Sequence, residues 1–359
     1  MRMGIFGWWV VTVAVLILTD LMVAQERIEP LPLEATNTLA QRLAERLKAH
    51  NLTQRPVAVL TFRGIGWDEA KNQQVTELMG KALQDDLSTM LIASGQRVVE
   101  RSQLEQAIQE IQRGQQGLTD FRVALQLGKM VPGSLVLLGS VSFREGLWVI
   151  NSRVLETERG RVLVADCFLW DSQKKEAVAI EASPLALSWQ FAQAIAEKWK
   201  QYGQGQPLAV LPFKFIGVDT EAAQDFVLLL QEDLTTYLAM KGVSVVERSQ
   251  LEQALSEIAL GQKGLTAEQQ ALQLGRFIPG VLVLLGYIRP LNPLKHESLF
   301  VIGARFVSTK TATVLTTERF YSPVETLYES RTLHGSTYGV FSVAFSPDGQ
   351  ILASGSADK

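Results

Sequence analysis

The string Val98-Val-Glu-Arg-Ser-Gln-Leu-Glu-Gln-Ala107 returns letter for letter at Val245–Ala254. From Val98 to Gly139, about 29 of 42 residues agree with Val245 to Gly286. That is far beyond chance at a fixed offset, and the interval is too long for a solenoid repeat. It is the length of a domain, so the chain is read as one domain written twice. Chemistry performed once per domain should then leave its residues in both copies.

The copies extend on either side of this stretch. Leu39, Leu43 and Leu47 in one, and Phe191, Ile195 and Trp199 in the other, recur every fourth residue and predict a helix with one apolar face. Pro56-Val-Ala-Val-Leu60 and Pro207-Leu-Ala-Val-Leu211 follow as short buried strands. A second helix is expected over Glu69–Ala93 and Glu221–Met240, with copy two four residues shorter there. Ser102-Gln-Leu-Glu105 and Ser249-Gln-Leu-Glu252 fit capping boxes, in which serine and glutamate satisfy each other's backbone N–H groups. A third helix is expected between Gly117-Leu-Thr119 and Gly128, and between Gly264-Leu-Thr266 and Gly275. Leu135–Phe143 and Leu282–Ile288 begin as continuous apolar runs, as central strands do. Two further strands close each copy, Trp148–Leu155 with Val162–Trp170 and Phe300–Val307 with Thr313–Phe320.

The expected fold class is therefore α/β (α+β): two tandem mixed sheets packed with helices, followed by a segment, Val340 to Asp358, that alternates as two strands around Pro347-Asp-Gly349. The expected boundaries are 1–24 for an export signal or membrane anchor, 35–172 and 187–322 for the copies, 173–186 and 323–334 for linkers, and 335–359 for the two-strand tail. At the start, Arg2 precedes an apolar run from Ile5 to Thr19, with Ala24 as candidate cleavage residue. That run suits a signal peptide and falls short of the ~20 residues a spanning helix needs. Export is the expected fate, with membrane contact only through an uncleaved N-terminus.

Composition excludes several functions. The net charge of −3 gives no footprint for nucleic acid. One cysteine rules out an internal disulfide, and none of the three histidines recurs between copies. No nucleophile–base set and no metal-ligand spacing appears, so no enzyme activity, metal or cofactor is expected. The Gly-Gln-x-Gly-Leu-Thr loops lack the spacing of a phosphate loop, with leucine where its lysine would follow the glycine, and read as turns. Asp85-Asp86 and Glu232-Asp233 occupy the same place in the two copies. Adjacent helix positions diverge by about 100°, so these pairs are read as solvated helix faces. Glu100-Arg101 and Glu247-Arg248 read foremost as structural ion pairs at a strand end, with docking charges as the functional alternative. Trp67 is a further candidate contact residue. Cys167 is expected to be a small buried hydrophobe.

Two resemblances follow from these residues. Val-Glu-Arg-Ser-x-Leu-Glu, then Gly-Leu-Thr, Leu-Gly and Leu-Val-Leu-Leu-Gly, resemble the CsgG-like family of curli assembly and transport proteins, and Arg153–Leu163 looks like that family's strand–turn–strand close. The same core is similar to the N-terminal domain of TolB and to lipoprotein activators of penicillin-binding proteins. Val343-Ala-Phe-Ser-Pro-Asp-Gly-Gln-Ile-Leu-Ala-Ser-Gly-Ser-Ala-Asp358 resembles the opening of a WD40 repeat, with Gly335-Ser336 where Gly-His is usual, and this resemblance implies that 335–359 is a partial β-propeller blade. The resemblance implies a non-catalytic envelope protein in the periplasm of a bacterium with two membranes, with association to the outer membrane as an alternative: an assembly, scaffold or transport-accessory factor whose partners are other envelope proteins. It also admits a homo-oligomer, and further WD repeats after Lys359. Two rival functions are a curli-type secretion channel and a regulator of a cell-wall synthase. Phe143-Arg-Glu-Gly-Leu147 turns too tightly to hold a membrane-spanning hairpin.

Overall fold

The computed structural model describes residues 30–100, 133–157, 160–183, 185–217, 221–247, 267–290, 300–311, 313–321, 340–345 and 352–356, together with 104, 131, 250–251, 254–255 and 258. The signal segment with Ala24, both capping boxes, the Gly-Leu-Thr loops, the third helix of copy one, Arg101 and Arg248 lie outside the described residues. The chain divides into two compact units, Met1–Ser322 and Pro323–Lys359.

The first unit is α/β. Copy one begins with α1 (Leu33–Ala49), β1 (Val57–Val59) and β2 (Arg63–Gly64). The expected second helix is α2 (Glu69–Val75) running through a π-turn at Thr76–Gly80 into α3 (Lys81–Ala93). Strands β3 (Leu135–Arg144), β4 (Leu147–Glu156), β5 (Arg161–Asp171) and β6 (Glu176–Val178) follow. β1 pairs parallel with β3, and β3, β4, β5 and β6 form an antiparallel meander. Copy two repeats the scheme with α4 (Ala186–Tyr202), β7 (Leu208–Val210), β8 (Lys214–Phe215), α5 (Glu221–Met240), α6 (Ala267–Phe277), β9 (Leu282–Pro290), β10 (Phe300–Ser308) and β11 (Val314–Tyr321). Its strand order is β11-β10-β9-β7.

Small details repeat with the topology. A register shift follows Val154 in copy one and Phe306 in copy two, the same position in each β-ladder. Gln84 Nε2 donates to the Val59 carbonyl, and Gln231 Nε2 to the Val210 carbonyl, both at 2.8 Å. Arg46 pairs with Asp166 at 2.9 Å, and Lys198 pairs with Glu318 at the corresponding place, 3.7 Å apart. Gly139 and Gly286 are glycines because a ring covers each of them. A Cβ on Gly139 would land on Phe62 and the Asn151 carbonyl, and one on Gly286 would land on Phe213.

The copies are fused rather than strung together. One face of the copy-one sheet packs on α1 and α3 through Leu39, Leu43, Leu83, Leu87, Val59 and Leu137. Its other face contributes Val149, Cys167 and Leu169 to the same core as Ile195, Leu234, Tyr237 and Leu284 of copy two. The residues between the copies are ordered too: Glu176–Val178 pair with β5, and Ile180 is buried.

The second unit shows a two-stranded antiparallel sheet, β12 (Val340–Phe345) with β13 (Leu352–Ser356).

Candidate functional site at the joint between the copies

The joint begins with backbone. In each copy a short extended segment lies beside the first strand: Val98 bridges Val57 in parallel, and Val245 bridges Leu208 in parallel. In copy two this segment also has an outer partner. Val162 N–H donates to the Val245 carbonyl and Glu247 N–H donates to the Gly160 carbonyl, each at 3.2 Å. With Arg161 opposite Val246, the edge of β5 continues into the sheet of copy two.

Helix α5 lies across this seam. Leu230, Gln231, Leu234 and Leu238 face its own copy, where they match Leu83, Gln84, Leu87 and Leu91 of α3. The opposite stripe faces copy one: Leu229 against Gly66, Glu232 and Asp233 against β3 and β4, Tyr237 against Cys167, and Met240 against the cluster around Val136 and Leu155. These positions recur at three- and four-residue intervals, which makes them one face of a helix.

Polar groups fill the centre of that face. Arg153 Nη1 donates to Glu232 Oε1 at 2.6 Å and to Thr236 Oγ1 at 3.1 Å, while its Nε and Nη2 donate to the two oxygens of Glu247 at 2.9 and 3.2 Å. Ser140 Oγ donates to Glu232 at 2.7 Å. Arg144 forms a fork with both oxygens of Asp233 at 2.8 Å, and Asn151 adds a bond at 3.2 Å. Arg153, Glu232, Asp233 and Glu247 are between 0 and 3% exposed, so these charges survive only as a network. Burial works against the Arg153 charge, but Glu232 and Glu247 outweigh it and hold the guanidinium above its ordinary range. Asp233 does the same for Arg144. Burial, then Asp233, pushes both the Cys167 thiol and the Tyr237 hydroxyl upward, so neither is a nucleophile at neutral pH.

The structure scatters the residues singled out from sequence. Trp67 is half-buried against its own copy, 6.2 Å from the Trp148 ring, with Lys71 over its face at 5.6 Å. Glu100 is exposed, whereas Glu247 is buried on Arg153. The solvated-face reading holds for Asp85, which is exposed, and fails for Glu232 and Asp233. The second copy's pair is buried because another copy's sheet covers it. Arg153 was the residue sequence reasoning passed over. Its signal was a charge inside an apolar strand at the same place twice, Val149-Ile-Asn-Ser-Arg153 and Val301-Ile-Gly-Ala-Arg305. Among the described residues, no group of histidine, cysteine, aspartate and glutamate could hold a metal ion. No described helix is long and apolar enough to cross a membrane.

Comparison with known proteins changes one expectation. The family model for FlgO protein matches residues 37–171, and that for the WD domain, G-beta repeat, matches residues 328–359. The CsgG-like, curli-assembly reading is therefore corrected: the family model that matches copy one is that for FlgO protein, and the motifs behind that reading are mostly packing and capping residues. No curated protein matches the chain. Among solved structures, the LpoB C-terminal domain from Escherichia coli is similar at 18% identity and TM-score 0.30, covering 38% of this chain and 98% of that one. Lipoprotein GNA1162 from Neisseria meningitidis is similar at 13% identity and TM-score 0.25, covering 40% and 96%. At such TM-scores these likenesses carry no functional argument.

Proposed function

We propose that this chain is an exported envelope protein that acts by binding other proteins rather than by turning over a substrate. The observation that carries the reading is the fate of its buried polar cluster. Every donor atom of the Arg153 guanidinium and both carboxylate oxygens of Glu247 and Asp233 are engaged within the protein, so the cluster serves as a structural joint. The apolar N-terminal segment supports export. The match to the WD repeat model supports a binding surface beyond the α/β unit.

Of the finer readings, regulation of a cell-wall synthase is favoured over transport. Strands β3 and β4, where a spanning hairpin would have to open, meet at Glu145-Gly146 and are buried along nearly their whole length. The test uses the full chain on a resin against solubilised envelope proteins, followed by a glycan-polymerisation assay on any retained synthase. Retention of a synthase with an altered polymerisation rate is the expected result. Capture of no envelope protein, or a rate indifferent to the chain, would remove this function.

A further inference from the structure

The joint inside the chain is made of two different surfaces, and each has a second, more exposed version among the described residues. On the sheet side, β11 of copy two is the equivalent of β5. Arg305 stands opposite Leu285 and Thr317, as Arg153 stands opposite Leu138 and Ala165. β5 is buried almost throughout, whereas Val314 and Leu315 are 45% and 38% exposed, Thr317 and Arg319 are exposed, and Arg305 is half-buried. On the helix side, α3 of copy one is the equivalent of α5. Asp85, Thr89 and Glu100 are exposed where Glu232, Thr236 and Glu247 are buried, and Asp86 is half-buried where Asp233 is buried. Leu78 and Ile92 on α2–α3 are 46% and 60% exposed. Among the described residues, β11 pairs only with β10, and the outer edge beside Val98 pairs with no strand.

We propose that these two surfaces bind each other between molecules, so that the chain associates head to tail with further copies of itself. The edge of β11 in one molecule would take the Val98–Glu100 edge of the next, repeating the β5–Val245 pairing. Arg305 would then meet Asp85 and Glu100, as Arg153 meets Glu232 and Glu247. Arg319 stands where Cys167 faces Asp233, and so would meet Asp86. The charges match in sign: two guanidinium groups on the sheet side, three carboxylates on the helix side. A contact between two different patches leaves one of each free at the ends, so it propagates into a ring or a filament instead of stopping at a symmetric dimer. The replacements Ala165 by Thr317 and Cys167 by Arg319 make this version more polar than the internal joint, so association is reversible and salt-sensitive.

The test is sedimentation of the full chain over a range of concentrations. The wild type is expected to grow beyond one chain as concentration rises and to shrink back in high salt. The sheet-side variant Arg305→Glu/Arg319→Glu and the helix-side variant Asp85→Lys/Glu100→Lys should each stay monomeric, with unchanged urea midpoints. An equimolar mixture should associate again, because each variant still offers one wild-type surface to the other. A wild type that remains monomeric overturns the proposal. So do variants that associate as before, which would place the contact at the N-terminal segment or the WD unit. A mixture that stays monomeric overturns it as well, since that mixture still holds one intact pair of the two surfaces.

Discussion

Replacing Arg153 by methionine keeps the side-chain stem and removes the cation. Glu247 then loses both guanidinium bonds, and Glu232 keeps the Ser140 hydroxyl. Both carboxylates are 2–3% exposed, so water cannot take over without opening the joint. Breaking one side of such a buried network costs about 3–5 kcal/mol, against about 0–1 kcal/mol for a surface pair. The loss falls on Met1–Ser322 as a whole, because α5 belongs to the cores of both copies. Urea unfolding followed by tryptophan fluorescence reads it directly, since Trp148 and Trp170 report copy one and Trp189 and Trp199 report copy two.

The double variant Arg153→Met/Glu247→Leu separates mechanism from mere damage. With the unpaired carboxylate gone, it should be more stable than Arg153→Met alone. A cost below about 1 kcal/mol, or a double variant that simply adds the two single effects, would refute the claim that this network holds the copies together.

Gly139→Ala and Gly286→Ala should each cost about 1–3 kcal/mol or more by forcing Phe62 or Phe213 from its seat; equal stability to wild type in urea would contradict the packing. Gln84→Ala and Gln231→Ala should each cost about 1–3 kcal/mol, since each strands a strand-end carbonyl, and matched losses in the two copies would show in denaturant midpoints. Burial raises the Asp166 carboxyl against the pull of Arg42 and Arg46. The wild type thus loses stability as pH rises from about 4 through that raised value, and Asp166→Asn should flatten this slope in melts from pH 4 to 7.

The order of elements was legible because it rests on local pattern. Leu39, Leu43 and Leu47 do turn one face inward, and the Leu-Val-Leu-Leu-Gly runs are the inner strands. The joint was not legible, because Glu232-Asp233 is judged by its own helix as a polar, outward pair. Its burial is decided by a sheet about 80 residues away in sequence. One hint was present. Phe226-Val-Leu-Leu-Leu230 makes α5 apolar on every side there, the pattern of a helix with cover beyond its own sheet, and the helix is buried on every side from Leu230 to Leu238. The matching stretch of copy one, Met79 to Leu83, carries Gly80 and Lys81 instead, and α3 keeps one side in water. The π-turn at Thr76–Gly80 falls within the stretch where copy one is four residues longer, an insertion that helical periodicity alone does not register.

Duplication followed by drift explains part of the difference between the copies. An end repeat sheds apolar residues from the face it no longer buries, and Thr317 and Arg319 in place of Ala165 and Cys167 fit that account. Solubility by itself sets no sign of charge at a given place, however. On the uncovered sheet the charges at the joint positions are Arg305 and Arg319, and on the uncovered helix and edge they are Asp85, Asp86 and Glu100. Capping alone would tolerate a lysine at position 85 or a glutamate at position 305. A contact between molecules would not, since like charges set opposite each other repel and suppress the pairing. Charge reversal at these positions therefore distinguishes a face that has merely become soluble from one that still binds.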